Sequence, residues 1–137
     1  MLILVDSREQ APWRFDAATE RKTLDTGDYT LKGFEIVLTV ERKSLDDLVH
    51  TVIHDWLRFT KQLRRMAAMD SAAIVVESNV DLLMGGQFAS KASPASVRGK
   101  LSAIWLDFGV PTMFLSSPQL AAEWVENYFE HFWKRHK

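Results

Sequence analysis

The sequence predicts one α/β domain in which helices flank a mixed β-sheet. Three apolar runs bounded by turn-forming residues indicate buried strands, at residues 2–5, 72–77 and 110–115. Apolar residues spaced three or four apart indicate three long helices, at residues 44–69, 93–108 and 117–133. With a hairpin between the first strand and the first helix, the order of elements makes an α/β sandwich around a mixed sheet.

The hairpin pairs Tyr29–Leu31 with a strand over residues 34–43, FEIVLTVERK, which alternates apolar and polar residues. The alternation divides the second strand into two faces, with Ile36, Leu38 and Val40 on one and Val37, Thr39, Glu41 and Lys43 on the other. A loop of residues 32–35 would set Asp28 opposite Thr39. Glu41 then lies diagonally from Asp28 on the same face, at roughly 7–8 Å between backbones. A tighter turn shifts the register by two residues and preserves the shared face.

Two carboxylates and a lysine on one sheet face predict a metal site. Asp28 and Glu41 offer hard oxygen ligands, which suit Mg²⁺ or Mn²⁺ when water and substrate phosphate complete the coordination. Lys43 beside them can help to deprotonate a metal-bound water or stabilise charge on a phosphorane-like transition state. The alternative for a short E-R-K run is a solvated strand end.

The helix after the hairpin is predicted to begin with Ser44 as N-cap and Asp47 at the third helical position, which together fit a capping box. It carries a cationic stripe composed of His50, His54, Arg58, Lys61 and Arg65. Such a stripe can lie along a phosphate backbone or form a solvated helix surface.

The remaining segments are predicted as scaffold. Residues 10–23 are expected to be a loop with little regular structure, and residues 79–84 a short helix. Ser93 and Pro94 open the next long helix and Gly109 closes it. The last helix is rich in aromatic residues, most of them expected in the core, and its end near Trp133 could form a self-complementary dimer face.

Composition limits the class of protein. The net charge of −1 argues against a non-specific polyanion binder but leaves a local basic face possible. The absence of cysteine excludes disulfides, thiolate zinc sites and cysteine nucleophiles. No apolar run is long enough to span a bilayer and no signal peptide is evident, so we expect an intracellular protein, cytoplasmic if its origin is prokaryotic or viral.

Several ordered motifs resemble those of one family. Gly27-Asp28, then Glu41-Arg42-Lys43, then Asp47 match the signature G-D-x(n)-E-R-K-x-x-x-D of the XPF-type structure-specific endonucleases. The run from Asp6 to Glu9 is similar to the family's D-x-R-E. Residues 58–63 resemble its R-F-x-x-Q-L, so the resemblance covers essentially the whole chain.

The resemblance implies a restriction-endonuclease-like fold and Mg²⁺- or Mn²⁺-dependent hydrolysis of DNA phosphodiester bonds at branched or flap structures. Asp28 and Glu41 would be the principal metal ligands, and Asp6 or Glu9 would complete the site. Lys43 would sit beside the nucleophilic water.

The resemblance also assigns roles around these ligands. Arg42 and Asp47 match functional positions, although strand alternation turns Arg42 to the opposite face, where we expect it to hold neighbouring backbone or acidic side chains. The residues expected to bind phosphates are Arg8 and Arg58, together with Lys61 and Arg65 of the cationic stripe.

Two further classes of function remain open. One is a non-catalytic DNA-binding or dimerisation module of the same fold, and the other a nuclease for Holliday junctions or single strands. Residues 1–137 are expected to form a single nuclease domain with no helicase or helix-hairpin-helix domain. A homodimer through the C-terminal helix, or a separate DNA-binding partner, would then supply the DNA contacts that a helix-hairpin-helix domain makes in larger relatives.

Overall fold

The computed structural model describes residues 1–137 and contains a six-stranded sheet with helices on both faces. The strands are β1 (Ile3–Asp6), β2 (Thr19–Lys22), β3 (Tyr29–Leu31), β4 (Leu38–Lys43), β5 (Ser71–Val76) and β6 (Thr112–Phe114). The helices are α1 (Leu45–His54), α2 (Trp56–Ala67), α3 (Val80–Met84), α4 (Pro94–Phe108) and α5 (Pro118–His136). The strand order is β2-β1-β3-β4-β5-β6, with β3 antiparallel to both neighbours and all other pairs parallel. The predicted mixed sheet flanked by helices is therefore confirmed.

The alternation of side chains along the strands builds two hydrophobic cores, one on each face of the sheet. Ile74 and Val76 of β5 join α1, α2, α3 and α4 in the first core. Val75 points the other way and packs with Val40 and the α5 residue Phe129 in the second. Both faces of β5 are buried, which explains its nearly continuous apolar sequence.

The predicted helix ends are confirmed where local sequence determines them. Ser93 accepts a hydrogen bond from the backbone N–H of Ser96 (3.4 Å), and Gly109 ends α4 in the left-handed conformation. Ser117 caps α5 in the same way, through the backbone N–H of Leu120 (3.1 Å). Asn79 caps the short helix α3.

The predicted hairpin register is wrong. Residues 34–37 form turns instead of strand, so β4 begins at Leu38 and Ile36 is 85% exposed rather than on the face of Leu38 and Val40. Tyr29 pairs with Val40, and the backbone N–H of Asp28 donates to the Val40 carbonyl oxygen (2.8 Å), so Asp28 lies beside Glu41 and not opposite Thr39. The longer turn accounts for the difference. Asp28 and Glu41 still lie on the same face of the sheet, because the observed register differs from the predicted one by an even number of residues.

The single helix predicted for residues 44–69 is also wrong, because the structure divides it at Asp55. Asp55 has a backbone conformation of φ −120° and ψ 25°, outside the helical range. Its carboxylate accepts a hydrogen bond from Arg58 (2.9 Å) and lies 3.8 Å from the His50 imidazole. Apolar spacing continues through the break, which is why periodicity alone missed it.

Two strand predictions need correction at the sheet edges. Thr19–Lys22, inside the predicted loop 10–23, forms the edge strand β2 parallel to β1. All four of its residues are exposed, so it lacks the apolar pattern that would reveal a strand. At the other edge, β6 is shorter than the predicted 110–115 and only partly buried.

Helix α5 uses its aromatic residues mainly in the core, as predicted. Phe129 and Phe132 are buried, and Trp133 packs edge-on against Phe34 of the turn before β4, with ring centroids 6.1 Å apart. None of the helices combines the length and the hydrophobicity that crossing a bilayer requires.

Candidate active site

The predicted site residues meet at one edge of the sheet. Strands β1, β4 and β5 run in the same direction and β3 runs against them, so the ends of β1 and β4 lie beside the start of β3. This brings Asp6, Asp28 and Glu41 to the lining of one depression of about 360 Å³. Lys43 follows Glu41 on the same face of β4.

Asp28 and Glu41 form a carboxylate pair at the centre of this site. The backbone N–H of Arg42 donates a hydrogen bond to Asp28 Oδ2 (2.7 Å), which fixes the Asp28 side chain against β4. Burial, and next the neighbouring charge of Glu41, raise the pKa of Asp28 to about 8. The two carboxylates therefore do not both ionise readily near neutral pH unless a cation lies beside them.

Gly27, immediately before this pair, allows the chain to pass close to β4. Its φ of +77° is unfavourable for other residues. A Cβ atom at this position would lie 1.9 Å from Oγ1 of Thr39, far inside contact distance. The glycine of the G-D motif is therefore required by the close approach of two strands.

Lys43 lies beside the carboxylate pair in a sheltered position. Its Nζ is 3.2 Å from Glu41 Oε2 and 5.4 Å from the centre of the Phe59 ring, and its side chain is 13% exposed. The ring restricts the side chain to the site. Lys43 thus places a cation within reach of any phosphate bound at Glu41.

Asp6 is engaged in internal hydrogen bonds. Arg8 donates to both of its carboxylate oxygens (2.8 and 3.1 Å), and the backbone N–H of Leu24 donates to one of them (2.9 Å). Burial alone would raise the pKa of Asp6, but the hydrogen bonds from Arg8 and Leu24 outweigh it and hold the pKa below its usual value. Asp6 therefore serves in this structure to anchor Arg8 and the segment before β3.

Glu9 stands at the boundary between the site and the opposite face of the sheet. Its Oε2 accepts hydrogen bonds from the Tyr29 hydroxyl (2.8 Å) and from Arg42 Nη1 (3.1 Å). Glu9 also lines the same depression as Asp28, and its charge is one of the causes that raise the pKa of Asp28. Of the two predicted additional ligands, Glu9 keeps an oxygen without a protein partner, whereas Asp6 does not.

Arg42 points to the opposite face, as the alternation predicts. Its guanidinium pairs with Glu77 and Glu9 and donates to the carbonyl oxygen of Ala11 (2.8 Å). It thus holds acidic side chains and backbone, which is the kind of contact that we expected of it.

Asp47 lies at the first turn of α1. Its backbone N–H donates to Ser44 Oγ (3.1 Å), so the N-cap is confirmed, but no reciprocal bond from the Ser44 backbone to the Asp47 carboxylate is present. The exposed Asp47 side chain lines a separate depression of about 360 Å³ together with Lys43, Arg42 and Glu9. It is therefore a neighbour of Lys43 rather than a member of the carboxylate pair.

The predicted phosphate-binding residues are distributed around the pair. Arg58 and Arg65 line a groove of about 330 Å³ that begins at Lys43, and Arg65 Nε donates to Thr26 Oγ1 (3.2 Å). Arg8 lines the depression of Asp28 and is 68% exposed. Lys61 is exposed on α2 and lines neither cavity, so it does not join the others.

Two residues of the site had been given no role from the sequence. Gln62 lines both the groove at Lys43 and the depression at Asp28. Its place in the run R-F-x-x-Q-L was the available signal. Glu77, which had been read only as the end of a strand, pairs with Arg42 across 35 residues of sequence, and no local pattern indicates such a contact.

The carboxylate pair fits a small, hard divalent cation. Mg²⁺ and its substitutes are commonly held by one or two carboxylates, with water and substrate phosphate as the other ligands. Such a cation would favour the ionised form of Asp28, which burial and the charge of Glu41 disfavour in its absence. No group of three or more metal-ligating side chains is present, so water and phosphate would have to complete the coordination of a cation held by this pair.

The six-stranded sheet, with two carboxylates and a lysine at its strand ends, defines an α/β domain that carries a candidate metal site. The sequence matches the ERCC4 domain over residues 5–128, and the chain belongs to this family of XPF-type nucleases.

Solved structures show the same fold. XPF from Aeropyrum pernix matches with a TM-score of 0.76 and 23% identity, over 95% of this chain and 60% of that chain. The structure of the Aeropyrum pernix XPF complex with DNA matches with the same TM-score and identity, over 98% of this chain and 66% of that chain.

A sequence relative is much longer than this chain. A Methanocaldococcus jannaschii protein named "Putative ATP-dependent RNA helicase MJ1505" is 30% identical over 124 residues, which are 88% of this chain. This chain spans only 14% of that protein's length, so the helicase name describes mostly other sequence.

Proposed function

We propose that this protein is a Mg²⁺- or Mn²⁺-dependent endonuclease that hydrolyses DNA phosphodiester bonds at branched or flap structures. The observation that carries the proposal is the partly buried Asp28–Glu41 pair with Lys43 Nζ 3.2 Å from Glu41. Membership of the ERCC4 domain family supports a nuclease, and the DNA complex of the Aeropyrum pernix XPF supports DNA as its substrate.

Each residue has a distinct task in this proposal. Asp28 and Glu41 hold the divalent cation, with Glu9 as the additional carboxylate at the rim. The bound cation supplies Lewis-acid activation of water and charge neutralisation at the scissile phosphate. The Lys43 ammonium stabilises negative charge that develops next to Glu41. The backbone N–H of Arg42 keeps Asp28 in place.

A panel of labelled DNAs tests the activity and the substrate class together. The substrates are a 3′ flap, a fork, a four-way junction and a single strand, each with Mg²⁺, Mn²⁺ or EDTA. We expect cutting of the flap or fork with either metal, none in EDTA, and a loss of at least about 10²-fold in Lys43→Ala, because a cation next to the reacting phosphate is removed.

The same panel decides among the alternatives. Binding without cutting of any substrate would favour the non-catalytic DNA-binding module. Preferential cutting of the four-way junction or the single strand would keep the enzyme and change its substrate. Undiminished cutting by Lys43→Ala would reject the assignment of this site.

The groove at Lys43 predicts which cations contact the DNA backbone. Arg65→Ala and Lys61→Ala each remove one positive charge from α2, but only Arg65 lines the groove. We expect Arg65→Ala to weaken DNA binding about tenfold, because it removes a charge-assisted contact with the DNA backbone. The slope of log affinity against log salt concentration should become shallower by about one. Lys61→Ala serves as the matched control with a smaller effect. Affinities measured by fluorescence anisotropy at several salt concentrations check this, and equal losses in both variants would contradict it.

The homodimer through α5 stays a prediction. Trp133 already packs against Phe34 of its own chain. Leu106 and Trp105 of α4 are large apolar side chains that are 82% and 62% exposed, and Leu57 of α2 is 81% exposed. A second copy or a separate DNA-binding partner thus has an apolar surface available on α4 as well as on the end of α5.

A further inference from the structure

Glu77 is placed on the side of the sheet that faces away from the carboxylate pair. It directly follows β5, and its backbone N–H donates to the carbonyl oxygen of Lys43 (3.0 Å). Arg42 lies beside Val75 in the parallel register of β4 and β5. Because side chains alternate along a strand, Val75 and Glu77 point to the same face as Arg42.

One carboxylate oxygen of Glu77 accepts hydrogen bonds from two side chains that are distant from it in sequence. Oε1 accepts a hydrogen bond from Trp13 Nε1 (2.8 Å) and pairs with Arg42 Nε. The Arg42 guanidinium lies 4.8 Å above the Trp13 ring, which stacks on Tyr29 with ring centroids 4.5 Å apart. The Glu77 and Arg42 side chains are only 17% and 19% exposed, so this ion pair is sheltered from solvent.

The other donors of Arg42 reach the segment from Glu9 to Trp13. Nη1 binds Glu9 Oε2 (3.1 Å) and the Ala11 carbonyl oxygen (2.8 Å). The backbone N–H of Trp13 donates to the Tyr29 hydroxyl (3.0 Å). Glu77 therefore anchors this segment twice, directly through Trp13 and indirectly through Arg42.

The anchored segment carries a carboxylate of the site. Glu9 lines the depression of Asp28 and is close enough for its charge to act on Asp28. If Glu77 is removed, Arg42 loses one of its two carboxylate partners and Trp13 loses its only side-chain hydrogen bond. A partly buried guanidinium without that partner will reorient, and the segment that it binds will move with it.

We infer that Glu77 is a positioning residue, which holds Arg42 and Trp13 so that the Glu9 carboxylate stays at the rim of the Asp28–Glu41 site. The catalytic part of this inference rests on the proposed nuclease function. The positional part concerns the protein without DNA and can be measured on its own.

Amide hydrogen exchange of residues 9–13 and steady-state cutting kinetics test the inference. In Glu77→Ala we expect exchange of the Trp13 amide to be about tenfold faster and kcat to be about tenfold lower, with KM within about twofold of the wild type. Glu77→Gln keeps an acceptor oxygen for both donors, so we expect it to recover most of the exchange protection and of kcat. Thermal melting first establishes that each variant is folded.

Glu126→Ala is the matched control. Glu126 anchors the same connection between β1 and β2 at a different point, where its Oε1 accepts from the Asp16 backbone N–H (2.8 Å), and it does not contact Arg42. It should change neither Trp13 exchange nor kcat. If Glu77→Ala does not fold, Glu77→Met carries the test, since it keeps a side chain of similar length and removes both acceptor oxygens. Exchange at residues 9–13 must then rise and kcat must fall.

Three results would overturn the inference. They are unchanged exchange in Glu77→Ala, faster exchange with unchanged kcat, and a Glu77→Gln variant as impaired as Glu77→Ala. If the wild type cuts no DNA, the proposed function fails. The inference about Glu77 is then tested by measuring Mn²⁺ binding to the DNA-free protein by electron paramagnetic resonance. Weaker binding in Glu77→Ala supports the inference, whereas equal binding, or none in the wild type, rejects it.

Discussion

Replacing Glu41 by glutamine is expected to abolish metal-dependent cutting and at the same time to lower the pKa of Asp28 in the metal-free protein. The substitution removes half of the carboxylate pair, so the cation loses a charged ligand, and we expect a loss of activity of at least about 10²-fold. It also removes the charge that opposes ionisation of Asp28. Single-turnover cutting of the preferred substrate, and denaturant unfolding in EDTA at a series of pH values, measure the two effects.

The two readouts distinguish a metal-site carboxylate from a structural one. A structural glutamate would leave the titration of Asp28 unchanged, whereas Glu41→Gln is expected to move the pH-dependent loss of stability to lower pH. Glu20→Gln, on the exposed edge strand β2, makes the same chemical change away from the site and should leave both quantities unchanged. Activity of Glu41→Gln within about tenfold of the wild type would contradict the assignment.

The stability of the metal-free protein should fall as the pH rises from about 4 to about 8. The pKa of Asp28 is raised from 3.8 to about 8 in the folded protein, so between these values the folded state binds a proton that the unfolded state has lost. The free energy of unfolding therefore decreases across this window, by an amount on the order of a few kcal/mol. Denaturant unfolding in EDTA at a series of pH values measures it.

Asp28→Asn and added Mn²⁺ provide the controls. The asparagine variant should flatten the slope between pH 4 and 8, and Mn²⁺ should restore stability at the upper end, because the cation binds the ionised pair in the folded state. Asp6, whose pKa is lowered, contributes in the opposite sense. Its stabilisation is complete above pH 3.8 and is lost only as the pH falls further. A wild-type slope equal to that of Asp28→Asn would show that Asp28 does not titrate in this range.

The predictions that succeeded depend on short stretches of sequence. The two ends of α4 were predicted correctly, from Ser93 with Pro94 at its start and Gly109 at its end. Helix capping depends only on neighbours within one helical turn. The shared face of Asp28 and Glu41 was predictable because strand parity survives an error in loop length. For the same reason Arg42 was correctly placed on the opposite face.

The predictions that failed depend on the length of a turn or on distant contacts. The turn of residues 34–37 retains the alternating pattern of a strand, so the register of Asp28 against Glu41 could not be derived from it. The break at Asp55 leaves the apolar spacing undisturbed. Glu77 meets Trp13 across 64 residues of sequence, and only the assembled sheet brings them together.

The position of the turn before β4 explains which spacings in the G-D-x(n)-E-R-K-x-x-x-D signature can vary. Residues 32–37 lie at the far end of the hairpin from the carboxylate pair, so an insertion there would lengthen a surface loop and leave the Tyr29–Val40 pairing intact. Within Glu41-Arg42-Lys43 no such freedom exists. A single residue inserted between Val40 and Glu41 would turn all three side chains to the other face of the strand. The three side chains would all remain in the chain, but Arg42 would point into the site, and Glu41 and Lys43 would point away from it.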